Sequence, residues 1–328
     1  MGGIGVNRGR LSLRQLLVTA FTGGLAPAAA AAGRSWQGTL LALPVLLLAG
    51  WGLSALAPRC ARLEGKPAGK ALHILYMVWG AALLSRGLAR CAGRVARVGG
   101  SGESERVWLV LLLAALLIWA VSGKPAAFFR GAEIFYLGMA AVAAALLVWG
   151  AFRVRPEYLA VPAENMWSGF LSAMETGGTF LFVLPYINRT AADPEGVRRT
   201  AGWLGALALI MALAGLVTAG VLSPAVAAES EEPFFLMTAT LGRSARIEGL
   251  ASALWLLADV TYLGLMAECW NLRKSGRSFG PAICVCVGVV LIFLGVPEGL
   301  PALFWGGGTA AVAAATALVL LAAGKNSG

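Results

Sequence analysis

Long apolar segments follow one another along nearly the whole chain, and they constrain its fold more than any other feature. Residues 107–121 read VWLVLLLAALLIWAV, and a helix built from them would have no polar face. Because a helix of about 20 apolar residues crosses the hydrocarbon core of a bilayer, each such segment is a candidate membrane span. Only 13% of the 328 residues are charged, whereas soluble domains average about 25%. The sequence therefore predicts an all-α integral membrane protein.

Ten segments have the length and apolarity of membrane helices, and short connections join them. They cover residues 13–32, 38–57, 71–89, 107–123, 132–152, 164–187, 201–222, 247–270, 280–297 and 301–323. No connection is long enough for a separate soluble domain, so we expect one transmembrane domain over residues 1–328. Two groups of five helices, about 11–152 and about 164–323, divide this domain.

The distribution of Lys and Arg predicts the orientation in the membrane. These residues are commoner in the connections that a cytoplasmic N-terminus would place inside, so we expect both termini in the cytoplasm. Residues 86–106 oppose this bias, and within them Arg86, Arg90 and Arg94 recur every four residues on one helix face. We interpret that face as an interfacial helix that leaves the membrane with its cations at the headgroups. A specific anionic partner is the alternative.

The N-terminal segment has an alternative interpretation as a cleavable signal peptide. Basic residues precede an apolar stretch that ends in PAAAAAG (27–33), and this order is typical of a signal. However, a signal core rarely carries Gly-Gly and Pro within its apolar part. Cleavage would also leave nine helices, so we expect the segment to be retained as the first membrane helix.

The tripeptide Thr-Gly-Gly occurs at 22–24 and again at 176–178, in the first helix of each group of five. Gly weakens a helix, and a break in lipid survives only where it lines a cavity or is buried in protein. Matched broken helices are the pattern of inverted-repeat transporters, whose substrate lies between them near mid-membrane. Their free N–H and carbonyl groups would suit an amino acid zwitterion. Close helix packing through small residues is the alternative.

Two acidic residues lie near the middle of predicted membrane helices, where a carboxylate by default marks a functional site. Glu175 directly precedes the second Thr-Gly-Gly, and would titrate a proton, hold a substrate amine or form a structural hydrogen bond. Asp259 belongs to a stripe that we expect to face the bundle interior, as a binding surface or as a polar clamp between helices. The stripe consists of Ser252, Trp255, Asp259, Tyr262 and Met266. Thr261 lies off the stripe, toward a different neighbour.

Residues 228–235, AESEEPFF, combine acidic residues, Pro and two Phe before a short apolar piece. We expect an outer loop with an interfacial segment over the bundle. Such a segment would act as a gate from outside or as an inert surface helix.

The sequence contains no catalytic motif of the types HExxH or Gly-x-Ser-x-Gly, so we predict no enzymatic activity and no cofactor. One His and five scattered Cys residues favour neither a metal site nor a disulfide framework. The net charge of +10 is explained by topology and anionic lipid, so a nucleic-acid partner is not expected.

Three stretches resemble one family of membrane proteins. They are LSLRQLLVTAFTGGLAP (11–27), GFLSAMETGGTFLFVLPYI (169–187) and RSARIEGLASALWLLADVTYLGL (243–265). In these stretches, and in the order and spacing of its ten segments, the chain is similar to the B subunit of spore germinant receptors, the endospore germination permease family. That family belongs to the amino acid–polyamine–organocation (APC) superfamily.

The resemblance implies a LeuT-like fold with ten transmembrane helices, a five-plus-five inverted repeat and discontinuous helices 1 and 6. It implies a protein of the cell membrane or inner spore membrane that binds a small amino acid-like germinant at mid-membrane. Signalling would require an A subunit and a lipoprotein C subunit as partners. The alternative is a proton-coupled secondary transporter of an amino acid or amine, with Glu175 or Asp259 as the proton carrier.

The positions that match the family's ligand pocket, together with the polar stripe, are the candidate ligand-binding residues. They are Thr22, Gly23, Gly24, Met77, Gly80, Glu175, Thr176, Gly177, Gly178, Thr179, Trp255, Asp259, Thr261 and Tyr262.

Overall fold

Helices make up nearly all of the described part of this computed structural model, which covers residues 11–56, 59, 63, 66–99, 103–122, 125–160, 166–190, 197–230, 232–241, 245–268, 280–300 and 302–325. In chain order they are α1 (Leu13–Ala31), α2 (Trp36–Leu56), α3 (Pro67–Gly99), α4 (Glu103–Ser122), α5 (Pro125–Ala151), α6 (Pro156–Leu159), α7 (Met166–Thr190), α8 (Val197–Leu222), α9 (Pro224–Glu229), α10 (Pro233–Leu241), α11 (Ala245–Glu268), α12 (Gly280–Phe293), α13 (Val296–Gly299) and α14 (Ala302–Lys325). Within these ranges, ten helices of 14 residues or more overlap the ten predicted segments. The ends of some segments, such as 269–270, lie outside the described residues.

Counting only the described residues, five helices are long and apolar enough to cross a membrane, namely α2, α3, α5, α8 and α14. Shorter apolar stretches occur in α4 and α12. By contrast, α1, α7 and α11 carry Thr, Gly or acidic residues, and most of their described side chains are buried. The more polar helices are therefore screened by apolar neighbours, as burial of polar groups in a bilayer requires.

Local sequence explains how several helices begin. At the start of α1, the Gln15 N–H donates to the Ser12 hydroxyl at 3.2 Å, and the Ser12 N–H donates to Gln15 Oε1 at 3.2 Å. This capping box satisfies two N–H groups that the first helical turn leaves without partners. Helices α3, α5, α9 and α10 each begin at Pro, whose missing N–H costs nothing in the first turn.

Both helices that the sequence predicts to be broken are continuous. α1 runs without interruption from Leu13 to Ala31, and α7 does so from Met166 to Thr190, each through its Gly pair. The predicted discontinuities are therefore wrong for this structure.

The glycine pairs serve close helix packing, which is the physical reason for the correction. A methyl group built at any of the four positions would crowd a neighbouring helix. The contacts are Gly23 with Tyr262 of α11, Gly24 with Leu207 of α8, Gly177 with Leu46 of α2 and Gly178 with Thr309 of α14. For Gly23 the nearest atom is the Tyr262 Cα, at 3.0 Å. Small residues thus let the helix backbones approach one another, as they commonly do in membranes.

α1 and α7 are central to the packing of the bundle. α1 packs against α5, α7, α8 and α11, while α7 also packs against α2 and α14. α3 packs on α4, α11 and α12. A large apolar core joins residues of all these helices. A second, smaller core packs Phe234, Met237 and Leu241 of α10 against α1, α5, α8 and α11.

Candidate functional site

Three arginines of α3 face the bundle interior and pair with carboxylates of other elements. α3 is one helix to Gly99, so Arg86, Arg90 and Arg94 lie one turn apart on the same face. Their side chains are only 21%, 23% and 5% exposed. The predicted interfacial helix with cations at the headgroups is therefore wrong for these three residues. The physical reason is that acidic groups buried in the bundle need positive partners.

Glu175 of α7 pairs with two of the three arginines. Arg86 donates from Nε to Oε1 at 2.5 Å and from Nη2 to Oε2 at 3.0 Å, a two-point geometry that strengthens an Arg–carboxylate pair. Arg90 Nη1 donates to the same Oε1 at 3.4 Å. Arg86 also donates to the Pro297 carbonyl at 3.3 Å, and its guanidinium lies 4.8 Å from the Trp305 ring centroid. Glu175 is thereby fixed against α3.

Arg94 forms ion pairs with two further acidic residues. Its Nη1 donates to Asp259 Oδ2 of α11, and its Nη2 donates to the two carboxylate oxygens of Glu232 at 3.2 and 3.0 Å. Glu232 directly precedes α10, and Phe234 in the first turn of α10 is 3% exposed. The segment predicted to lie over the bundle is therefore packed into it. An inert surface helix is the wrong interpretation for this part of AESEEPFF.

We call this set the α3 ion network. Its members are Arg86, Arg90, Arg94, Glu175, Glu232 and Asp259. Three positive and three negative groups make its formal charge zero. Because an unpaired charge is costly to bury, this balance explains how the bundle holds six ionisable side chains in its interior.

Tyr262 of α11 fills the space between α1 and α3. Its backbone lies against Gly23 of α1, and its ring occupies the space that a side chain at Gly87 would need. Its hydroxyl donates to the Leu83 carbonyl at 3.4 Å. The Arg90 guanidinium lies 5.7 Å from the centroid of its ring. Tyr262 is therefore the point at which α1, α11 and the α3 ion network meet.

The structure brings part of the sequence-predicted set together. Glu175 and Asp259 belong to the α3 ion network, and Gly23 contacts Tyr262, which lies beside it. The stripe on α11 does face the interior, since Trp255, Asp259, Tyr262 and Met266 are all at most 7% exposed.

Other predicted residues are used within their own helices or lie apart from the network. Three buried hydroxyls donate to the carbonyl one turn earlier at 2.7–3.0 Å. They belong to Thr22, Thr179 and Thr261. Thr176 is buried in α7, and Gly24, Gly177 and Gly178 pack against α8, α2 and α14. Met77 and Gly80 lie on α3 more than one turn before Arg86, with Gly80 buried and Met77 half-buried.

Trp255 lines two adjoining crevices beneath α10. The larger has room for about one water molecule and the smaller has room for none. Ala29 and Phe234 line both, and Glu232 also lines the smaller. The lining of the larger is entirely apolar; its residues are Leu25, Ala28, Ala29, Ala143, Leu147, Ile210, Ala214, Phe234 and Trp255.

Sequence reasoning missed Arg86, Arg90, Arg94 and Glu232 as members of the candidate site. Two features of the sequence could have found the arginines. Their four-residue spacing puts them on one helix face, and two buried acids elsewhere lack an obvious cation. Glu232 had no such indication, because it sits in a loop among other acidic residues.

Comparison with known proteins gives the fold. No family model matches the chain, and no curated protein matches its sequence. Among solved structures, it is similar to MhsT in complex with L-phenylalanine. The TM-score is 0.63 over 97% of this chain and 88% of that chain, at 17% identity. The chain has the LeuT fold. Five of the described helices are long and apolar enough to cross a membrane, and the chain is an integral membrane protein.

Proposed function

We propose that the chain is a ligand-sensing membrane subunit that binds a small amino acid-like molecule, in the role of the B subunit of a spore germinant receptor. The observation that carries the binding function is the fold, which is shared with MhsT over 97% of the chain. The MhsT complex contains L-phenylalanine. The receptor role rests on the three stretches that resemble the germinant receptor family. Partner A and C subunits belong to this proposal.

The proposed topology completes the fold. The ten long helices form two inverted repeats of five, over about 11–152 and about 164–323, with both termini in the cytoplasm of the cell membrane or inner spore membrane. The ten-helix part of this topology is supported by the agreement between the ten predicted segments and the ten long helices in the described ranges.

The proposed ligand site lies where α1, α3, α7 and α11 meet, around Glu175 and Tyr262. The contacts of Gly23 with Tyr262 and of Gly24 with Leu207 leave no room for additional atoms at these two positions of α1. Entry of a ligand therefore requires these helices to separate and the α3 ion network to open. A ligand that favours the open arrangement shifts the population toward it, and partner subunits would detect the shift. The fourteen sequence-predicted residues are candidates for contacts in that arrangement.

A proton-coupled transporter of an amino acid or amine is the second candidate function. Buried carboxylates in two helices, Glu175 of α7 and Asp259 of α11, favour it. Both carboxylates pair with arginines. Protonation of Glu175 would leave Arg86 and Arg90 without their carboxylate partner, so proton coupling there requires that these pairs first separate. Arg94 keeps Glu232 as a partner when Asp259 is protonated, so Asp259 is the better candidate for a proton carrier.

Ligand binding is tested on the purified full chain in lipid nanodiscs. Thermal unfolding is measured with each of the twenty standard amino acids, alone and with co-expressed A and C subunits. We expect one or a few amino acids to raise the Tm, because a ligand that binds only the folded state stabilises it. Glu175→Gln should abolish the shift. Glu133→Gln is the matched control, since Glu133 pairs with the exposed Arg14 at 3.2 Å. A folded sample that responds to no amino acid contradicts the proposal.

Uptake of the bound amino acid into proteoliposomes separates the two functions. Uptake by this chain alone, driven by a proton gradient, would establish the transporter. Binding without uptake, strengthened by the partner subunits, would support the receptor.

A further inference from the structure

Glu232 and Phe234, at the start of α10, carry a carboxylate and an aromatic ring into the bundle interior. The Glu232 side chain is 12% exposed, and both of its carboxylate oxygens accept hydrogen bonds from Arg94. Two residues later, the Phe234 side chain is 3% exposed, and its ring centroid lies 4.8 Å from that of Trp255. Together the two side chains present the two groups of a small aromatic carboxylate.

The residues around these groups have hydrogen-bond donors that α10 leaves unused. Both Glu232 oxygens accept from one nitrogen, Arg94 Nη2, whereas Arg94 Nε is buried and has no partner among the described residues. Trp255 Nε1 is likewise buried without a partner in the described ranges. A carboxylate that accepts from Nη2 and Nε together has the stronger two-point geometry. A free carboxylate would therefore satisfy Arg94 better than the tethered one does, while Nη1 keeps its bond to Asp259.

The Phe234 ring separates the two crevices beneath α10. Ala29, Phe234 and Trp255 line both of them. The larger is lined by further small side chains, among them Ala143 and Ala214. Removal of the ring would join the crevices into one cavity, and an apolar cavity of about the size of a ring binds benzene-like molecules. The space that Phe234 fills is therefore suited to the aromatic group of a ligand.

The connection from α8 into α9 stores backbone strain. Ser223 has φ 76° and ψ 150°, a combination that Gly adopts readily and other residues adopt only under strain. In the part of the chain that the structure describes, it is the one residue other than Gly with a positive φ. Movement of α9 and α10 away from the bundle would release this strain. The ion pair of Glu232 and the packing of Phe234 oppose that movement.

We propose that Glu232 and Phe234 occupy a second binding site, which takes a small carboxylate with an aromatic group when α9 and α10 move away. Arg94 binds the carboxylate of this ligand, and the space left by the Phe234 ring holds its aromatic group. A free ligand competes with side chains of the protein itself, so the site is autoinhibited. This inference goes beyond the proposed function, whose ligand site lies around Glu175 and Tyr262.

The probes that test it are phenylacetate, phenylpropionate and phenylbutyrate, each compared with its amide. Calorimetry on the full chain in nanodiscs measures their affinities for the wild type and for the double variant Glu232→Gln, Phe234→Ala. Because a minor open state is populated to about 10% or less, at least one acid should bind the double variant about 10-fold or more tighter than the wild type. The same acid should bind about 10-fold tighter than its amide, because only the acid makes a charge-assisted hydrogen bond to Arg94.

Three further variants control for folding and for the identity of the site. Phe234→Leu, used in place of Phe234→Ala, keeps an apolar side chain and should shift the affinities in the same direction by a smaller factor. Arg94→Lys, added to the double variant, keeps a positive charge beside Asp259 but lacks the planar donors, so the preference for acid over amide should fall. Glu229→Gln changes an exposed acid at the end of α9 and should leave the wild-type affinities unchanged.

Two substitutions move α9 and α10 without changing the site, and both are made in the single variant Glu232→Gln. A methyl group at Gly33 would overlap Pro233 of α10 and the α9 backbone, so Gly33→Ala should tighten binding of the acid. Ser223→Gly removes the strain of the closed arrangement and should weaken binding by about 5-fold. Gly138→Ala adds its methyl group where no other atom lies within 4 Å, and is the matched control for Gly33→Ala.

The outcomes decide the inference without reference to the proposed function. If the folded double variant binds none of the acids, or binds acid and amide equally, the second site does not exist. If the wild type binds the acids as tightly as the double variant does, α10 does not occupy the site, and the inference is also overturned. Neither result bears on the amino acid titrations with Glu175→Gln, so failure of the second site is distinguishable from failure of the proposed function.

Discussion

Replacing Gly178 by Ala tests whether α7 is a continuous helix packed directly against α14. The added methyl group would lie 2.7 Å from Thr309 Cγ2 and 2.9 Å from Thr309 Cβ. Thr309 cannot easily turn aside, because its hydroxyl donates to the Trp305 carbonyl at 2.7 Å and β-branched side chains are stiff at χ1. The methyl group therefore forces the two helices apart.

The loss of stability that the Gly178→Ala methyl group causes is measured against a matched control. Gly138→Ala in α5 adds the same methyl group where no other atom lies within 4 Å. Both substitutions gain the same helix propensity, up to about 1 kcal/mol, so this term cancels in their difference. The cost of inserting atoms into a packed interior is about 1–3 kcal/mol. We therefore expect the free energy of unfolding of Gly178→Ala to be lower than that of Gly138→Ala by this amount.

Equilibrium unfolding in mixed micelles with increasing sodium dodecyl sulfate, followed by Trp fluorescence, measures the difference. The double variant Gly178→Ala, Thr309→Ser lacks the methyl group at 2.7 Å and should recover part of the lost stability. If Gly178→Ala and Gly138→Ala unfold within about 0.5 kcal/mol of each other, the packing explanation is refuted. A break in α7 at Gly177-Gly178 would then be the better account.

The remaining predictions concern charge and capping. Arg94→Gln leaves Asp259 and Glu232 buried without their cation, so unfolding in mixed micelles should show a loss of about 3–5 kcal/mol. Arg14→Gln breaks an exposed pair and should cost under about 1 kcal/mol in the same assay; equal losses in the two variants would contradict the buried network. Ser12→Ala removes the capping box of α1 and should cost about 0.5–2 kcal/mol, seen as a lower Tm, and an unchanged Tm would argue against that cap.

Features that depend on a single helix could be predicted from the sequence. The ten apolar segments overlap the ten long helices of the described ranges, because length and apolarity are local requirements for crossing a bilayer. The stripe on α11 was likewise predictable, since helical periodicity alone puts Trp255, Asp259 and Tyr262 on one face. Two residues of the α3 ion network, Glu175 and Asp259, could be singled out because buried carboxylates are rare in membrane helices.

The two Thr-Gly-Gly tripeptides show where such local reasoning stops. Consecutive glycines are compatible with a broken helix and with a continuous helix that packs closely against its neighbours. The sequence of the tripeptide is the same in both cases. The choice depends on what lies opposite, which here is Tyr262 for Gly23 and Thr309 for Gly178. The residues that decide it lie more than 100 positions away in the chain.

The sequence by itself determined that this chain enters a membrane as helices, and that three arginines share one face of the third. Only the tertiary structure decided what that face meets. Arg94 pairs with Asp259 and Glu232, 165 and 138 positions away. The physical reason is that periodicity fixes the direction of a side chain relative to its own helix axis, whereas the packing of the whole bundle fixes which helix lies in that direction. Pairing of buried charges is therefore a property of the assembled bundle.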